Sequence, residues 1–296
     1  MNAVLIVDKP AGLTSHDVVN RVRRMLDQRS VGHLGTLDPM ATGVLPLVVG
    51  NLTRLAQFYT ASEKAYEGTI RFGFATDTYD AEGEPTGAPQ EVHLKAEELE
   101  TLCARFRGTV EQMPPPFSAK KIRGVPAYKL ARKKKDVELK PVTVEIKEFE
   151  IREVQADRVR FAARVASGTY MRSVAHDLGR LLQCGAHLES LRRTAVAEFT
   201  LQDAHTLEQL AQAAADGGTG NLSDELFVHP RKLLPQFPSV AVDEPTAARI
   251  RAGRTVNLPD LSRSRQVKVF AGQRELLAIA TRVAGSLFHA KIVLGS

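Results

Sequence analysis

The chain has 296 residues, 43% of them hydrophobic, and its 40 Lys and Arg against 34 Asp and Glu leave a formal charge of +6. That is enough apolar content for a globular protein with a sizeable core, and the basic balance points towards a polyanionic partner. The only cysteines, Cys103 and Cys184, are far apart and form no CxxC, which argues against a disulfide framework or a zinc ribbon and fits a reducing compartment.

The opening "MNAVLIVDKPAGLTS" has no basic leader, and its apolar run is too short for a signal peptide. No segment reaches the roughly 18 apolar residues of a membrane span, so the expectation is a cytoplasmic protein with no membrane contact. Residues 3 to 7 predict a buried strand closed by the turn "DKPAG". A helix follows, with Ser15 as its expected cap, an apolar stripe of Val18, Val19, Val22, Met25 and Leu26, and Arg21, Arg23 and Arg24 largely off that stripe. "GVLPLVVG" predicts a short strand, and "YEGTIRFGF" from Tyr66 predicts a strand with Tyr66, Ile70, Phe72 and Phe74 on one side. Residues 96 to 106 predict an amphipathic helix through Leu99, Leu102, Cys103 and Phe106. "RVRFAARVA" from 158 alternates as another strand. Helix and strand mix irregularly and no βαβ phosphate loop is present, which favours an α+β fold with a mixed sheet over a doubly wound parallel one.

Two segments stand outside this core. Residues 118 to 140 hold nine basic residues against two acidic ones, an excess larger than that of the whole chain, and follow "PPP" as a basic insertion spanning about 113 to 145. From about residue 238 short strands separated by turn residues predict a small β domain over 238–296, with nine basic and four acidic residues. Residues 1–235 are expected to form the larger, mixed-sheet domain. A solvated helix face and a plain soluble appendage are the alternative readings of these two segments.

The stretch "VGHLGTLDPMATGVLPLVVG", residues 31 to 50, holds a single acid, Asp38, among four glycines and two prolines. An Asp before Pro is commonly a turn or cap residue, but Gly32, Gly35 and Gly43 with Thr36 and Thr42 give a loop suited to close approach by a ligand. This stretch resembles the signature of the TruB family of RNA pseudouridine synthases. The likeness extends to "VDKPAGLTSHDVV", "KAYEGTIRFGFATDTYDAEG", "GTYMRSVAHDLG" and "GAHLESLRRT". Leu34 stands where threonine is common in that family.

The resemblance implies a largely antiparallel mixed-sheet catalytic domain, a thumb-like basic insertion that grips RNA and a PUA-like C-terminal domain. It also implies isomerisation of uridine 55 in the T arm of tRNA by a stand-alone, monomeric enzyme, with neither metal nor cofactor. In that reading Asp38 acts at ribose C1′, attacking it or stabilising its cationic character, and Arg172 is its partner. Tyr66 stacks on the target base and helps proton transfer. His33 enters the RNA loop in place of flipped nucleotides, and Asp80, Tyr170, Lys64 and Lys120 are expected on the substrate side. Taken singly, Tyr66 and Tyr170 also fit core packing, His33 a structural histidine and Asp80 a turn. Two other readings are a non-catalytic tRNA-binding module, which forms no pseudouridine, and an N-glycosidase using the same carboxylate, which releases uracil.

Overall fold

A computed structural model describes residues 1–117, 121–122, 125–126, 139–217, 222–259 and 264–295. The architecture is mixed α+β, with a large mixed, mainly antiparallel sheet and a second, small β-sheet. The chain divides into two compact units, the first comprising Met1–Leu37, Val44–Thr60 and Glu198–Ser296, the second Asp38–Gly43 and Ala61–Ala197.

In the first unit the strand Ala3–Lys9 buries Ala3, Val4, Leu5, Ile6 and Val7, so an uninterrupted apolar run becomes a strand covered on both faces. Lys9 is also fully buried, its Nζ donating to the carbonyls of Pro10 at 2.9 Å and Leu13 at 2.6 Å and closing the turn that leads to the first helix. That helix, Ser15–Met25, is capped by Thr14 rather than by Ser15. The Thr14 hydroxyl accepts from Asp17 N at 3.1 Å, while the Asp17 carboxylate accepts from Thr14 N at 2.9 Å, a reciprocal capping box. Ser15 is turned inward, accepting from Leu37 N at 2.8 Å and donating to Leu37 O at 3.1 Å, and so fixes the backbone one residue before Asp38. Val18, Val19, Val22 and Leu26 are buried, as the stripe requires; Met25 is half-buried. The strand Val31–His33 pairs antiparallel with Val49 to Leu47, and Ala204–His205 runs parallel to Ile6 and Val7.

The same unit carries a five-stranded sheet in the order Ser239–Val242, Gln266–Ala271, Glu275–Ala284, Leu287–Val293, Val256–Asn257. Its own core gathers Val240, Ile250, Val267, Val269, Leu277 and Phe288 under the helix Glu244–Arg251.

In the second unit an antiparallel array runs Ala186–Val196, Lys64–Phe72, Arg158–Val165, Val142–Gln155, Gly108–Gln112. Tyr66, Ile70 and Phe72 are buried on one strand, and Val159, Phe161, Ala163 and Val165 on the next, the faces that period-two alternation assigns. Phe74 lies beyond the end of its strand and packs instead against His187, the rings tilted by 42°. The helix Ala96–Ala104 buries Leu99 and Cys103. The helix Met171–Leu181 packs on the strand Ala186–Val196 at very short range, because a Cβ at Gly179 would meet Ala186 N at 2.1 Å and Gly185 C at 2.4 Å.

Gly179→Ala is therefore expected to destabilise the protein. Overpacking against backbone costs about 1 to 3 kcal/mol here, and the roughly 1 kcal/mol that alanine gains in helix propensity does not offset it. A lowered thermal or urea midpoint relative to the parent chain checks this.

Candidate active site

Asp38 lies in a turn closed by its own carbonyl, which accepts from Ala41 N at 3.1 Å with Pro39 between. The turn role suggested by the Asp-Pro pair is thus real, and the Asp38 backbone carbonyl takes part in it. That carboxylate is about one-third exposed, whereas its partner Arg172 is almost fully buried. The Arg172 Nε lies 2.9 Å from Asp38 Oδ2, an ion pair by proximity rather than a well-aligned hydrogen bond.

The rest of the guanidinium is held by fixed acceptors. Nη1 donates to Thr78 O at 3.1 Å and lies 3.4 Å from Asp80 Oδ2, and Nη2 donates to Phe117 O at 2.9 Å. Arg172 sits in the first turn of its helix, the positive end of the helix dipole, where a cation is ordinarily disfavoured by about 0.3 to 1 kcal/mol. Two carboxylates and two carbonyls around a planar fork outweigh that cost and leave a buried cation compensated.

Asp80 is buried, and its two oxygens do different work. Oδ1 accepts from Thr78 Oγ1 at 2.6 Å and Glu82 N at 3.1 Å, the local bonds of a turn, while Oδ2 faces Arg172. The helix start is fastened to the segment Gln112–Phe117. The Gln112 carboxamide accepts from Tyr170 N at 2.8 Å and donates to Tyr170 O at 3.0 Å, and Ser173 Oγ donates to Met113 O at 2.7 Å. Tyr170 is thereby held at the N-cap position of the Arg172 helix, with no side-chain capping bond.

Tyr66 is buried opposite Arg193 on the neighbouring strand. Burial pushes the Tyr66 phenol above its ordinary range, a hydrogen bond from Arg193 pulls it back, and the Asp38 carboxylate raises it further. Asp38 is thus within electrostatic reach of Tyr66, and the phenol is neutral at physiological pH. The Arg193 guanidinium is completely buried, and its burial draws its proton affinity down while Tyr66 supports the charge. A Cβ at Gly43 would lie 2.2 Å from Arg193 O, with the Gly43 φ at +100°. This glycine therefore serves the close approach of a backbone rather than of a ligand.

The structure thus brings Asp38, Arg172, Asp80 and Tyr66 together and adds Arg193, which sequence reading had passed over. Its signal lay in "LRRT": adjacent residues on a strand face opposite ways, so one of two consecutive arginines must point inward. Lys64 begins the Tyr66 strand and donates from Nζ to Ser62 O at 2.7 Å. His33 ends the strand Val31–His33 in the first unit and is half-buried. Lys120 and most of the basic insertion fall outside the described residues, apart from the antiparallel pairing of Lys121–Ile122 with Val125–Pro126. Among the described residues, no group of three or more His, Cys, Asp or Glu could hold a metal ion.

Residues 23–171 match the model of the TruB family pseudouridylate synthase N-terminal domain, and residues 172–228 match that of the tRNA pseudouridylate synthase B C-terminal domain. The chain is similar to tRNA pseudouridine synthase B of Solibacter usitatus, 52% identical over 99% of this chain and 100% of that protein. The tRNA pseudouridine synthase B of Aquifex aeolicus is 38% identical over 91% of this chain and 92% of its own. A solved chain from a Cbf5-Nop10-Gar1 complex shares the fold, with a TM-score of 0.73 at 23% identity, covering 99% of this chain and 84% of that one.

Burial and the neighbouring Arg193 push the Lys64 amine down from 10.5 to about 8. Between about pH 8 and 10.5 the unfolded chain then holds more of this proton than the folded one, so this residue's contribution to stability rises with pH across that window. Below it both states are protonated and the full penalty stands. Urea unfolding of the parent and of Lys64→Met from pH 7 to 10 checks this: the difference in stability, parent minus variant, should increase with pH.

Proposed function

The chain belongs to the TruB family of tRNA pseudouridine synthases, and from that membership we propose that it converts uridine 55 in the T loop of tRNA to pseudouridine, with Asp38 acting at ribose C1′. The observation that carries this reading is the partly exposed Asp38 carboxylate beside a buried guanidinium that is itself held by Asp80, Thr78 and Phe117.

The reaction breaks the bond between C1′ and N1, turns the freed uracil, and joins its C5 to C1′. The hydrogen on C5 departs as a proton and N1 gains one, so no atom is added and no electron is exchanged overall. What the step demands is negative charge beside C1′ as that carbon becomes electron-poor, whether through a covalent bond to the carboxylate or through electrostatic stabilisation. Arg172 keeps Asp38 ionised and aimed, because three other fixed acceptors, Thr78 O, Asp80 Oδ2 and Phe117 O, prevent the guanidinium from following the carboxylate elsewhere. Tyr66 supports the base with its ring, and its hydroxyl, neutral and bonded to Arg193, is placed to pass a proton rather than to stand as a phenolate.

The target uridine reaches this acid only after leaving the loop stack. That costs a few kcal/mol, and base–aromatic stacking worth about 1 to 3 kcal/mol offsets much of it. His33 fills the space the flipped nucleotides vacate, and Tyr170 and Asp80 shape the pocket. Lys64, Lys120 and the rest of the insertion over about 113–145 engage phosphates. Residues 1–235 form the catalytic domain and 238–296 a PUA-like RNA-binding domain. The protein works as a cytoplasmic monomer on the T arm, without metal or cofactor.

In an assay with unmodified tRNA, excess EDTA and no additive, chemical mapping is expected to locate pseudouridine at position 55. Asp38→Asn should lose at least about a thousandfold in rate while filter binding shows tRNA affinity within a fewfold of the parent. Pseudouridine elsewhere, or none from the parent protein, overturns the assignment. Arg172→Lys keeps the charge but cannot span four acceptors; two lost charge-assisted bonds predict a rate lower by about a hundredfold in the same assay.

A further inference from the structure

The loop that supplies two of the Arg172 acceptors contains a feature the reaction does not explain. Tyr79 lies between Thr78, whose carbonyl accepts from Arg172, and Asp80, whose carboxylate pairs with it. Its backbone is left-handed at φ +67°, a conformation a tyrosine adopts only under constraint. Its ring lies flat on the imidazole of His176, with centroids 3.7 Å apart and planes 11° from parallel.

His176 is one helical turn after Arg172, on the same face of the helix Met171–Leu181. Its Nδ1 is buried with no hydrogen-bond partner among the described residues, so no hydrogen bond of that nitrogen to them fixes the ring. Burial, and then Arg180, lower its proton affinity, which keeps the imidazole neutral and makes the contact a stack of two uncharged rings. On its other side the loop is fixed by backbone alone: Leu188 N donates to Tyr79 O at 3.0 Å, and Ala81 N donates to Leu188 O at 3.0 Å. The loop is therefore pinned to the strand Ala186–Val196 by main-chain bonds, and to the helix at two successive turns. One turn is polar, through Arg172, and the other aromatic, through His176.

We propose that the Tyr79–His176 stack is a positioning device for catalysis, setting the place of the Thr78 carbonyl and Asp80 carboxylate and through them the angle at which Arg172 meets Asp38. Neither residue touches substrate in this account, which rests on the function proposed above. Removing the stack leaves every charge in the site and lets the acceptors drift, so the loss falls on the chemical step and not on tRNA binding.

Single-turnover pseudouridine formation and tRNA affinity are measured for Tyr79→Gly, His176→Ala, the double variant, Tyr79→Phe and His176→Phe, with the thermal midpoint of each. Glycine accepts the left-handed backbone without strain, so Tyr79→Gly deletes the ring and keeps the fold even where His176→Ala does not. Each deletion should slow the chemical step by about threefold to tenfold, the range an aromatic pair supports, with tRNA affinity within about twofold of the parent. The double variant should be no slower than the slower single one, since both remove the same contact. The phenylalanine variants, which keep a ring face in place, should recover to within about twofold of the parent.

Parent-like rates in folded Tyr79→Gly overturn the proposal. So does a loss confined to tRNA affinity, an additive double variant, or a loss that phenylalanine does not repair. Asp38→Asn and the parent run alongside: an inactive parent fails the proposed function itself, and this inference with it. An active parent with parent-like variants fails this inference alone.

Discussion

A buried guanidinium must be met on all sides or it will not stay charged inside a protein, and the second unit is organised around meeting that of Arg172. Desolvating an isolated cation costs several kcal/mol even after relaxation, so its five N–H groups dictate what surrounds them. The carbonyls of Thr78 and Phe117 and the carboxylates of Asp80 and Asp38 come from three separate stretches of chain. Three of these acceptors are structural. The fourth, Asp38, is the one left partly open to solvent, so the arrangement spends its rigidity on the single acid that faces outward.

A second buried cation, Arg193, plays the same part for Tyr66. Two arginines thus bracket a carboxylate and a phenol, and burial, against the pull of Arg193, keeps the phenol protonated at neutral pH. Lys64 sits near Arg193 and has its own proton loosened by burial and then by that charge.

The supports of the site are local and inexpensive. The Gln112 carboxamide clamps both backbone groups of Tyr170, Ser173 ties down Met113, and Ser15 holds Leu37 beside the Asp38 turn. The segment Gln112–Phe117 that fastens the Arg172 helix leads directly into the basic stretch that begins at residue 118, so the root of that stretch is part of the framework of the site.

Much of this was legible before any coordinates. Strands at Ala3–Lys9, Lys64–Phe72 and Arg158–Val165 and the helices at Ser15–Met25 and Ala96–Ala104 follow from hydrophobic period alone, because burial of one face or both leaves a repeating mark on the residues. The family motif singled out Asp38, Tyr66, Arg172 and Asp80 as residue types set in unusual company. The helix cap was misassigned by one position, since Thr14 and Ser15 are equally good caps by type and only the inward pull of Leu37 decides between them. The partner of Tyr66 was invisible because register joins residues 127 positions apart, and a one-residue slip would have turned Arg193 to the other face. The double duty of Asp80 and the stack of Tyr79 on His176 likewise depend on where a loop meets a helix nearly a hundred residues later. Sequence by itself determined which chemical groups the protein has and the local periods that fold them, because both are properties of neighbouring residues. Only the tertiary structure decided which charges meet and which atom of each is left free, because that is settled by packing between distant segments.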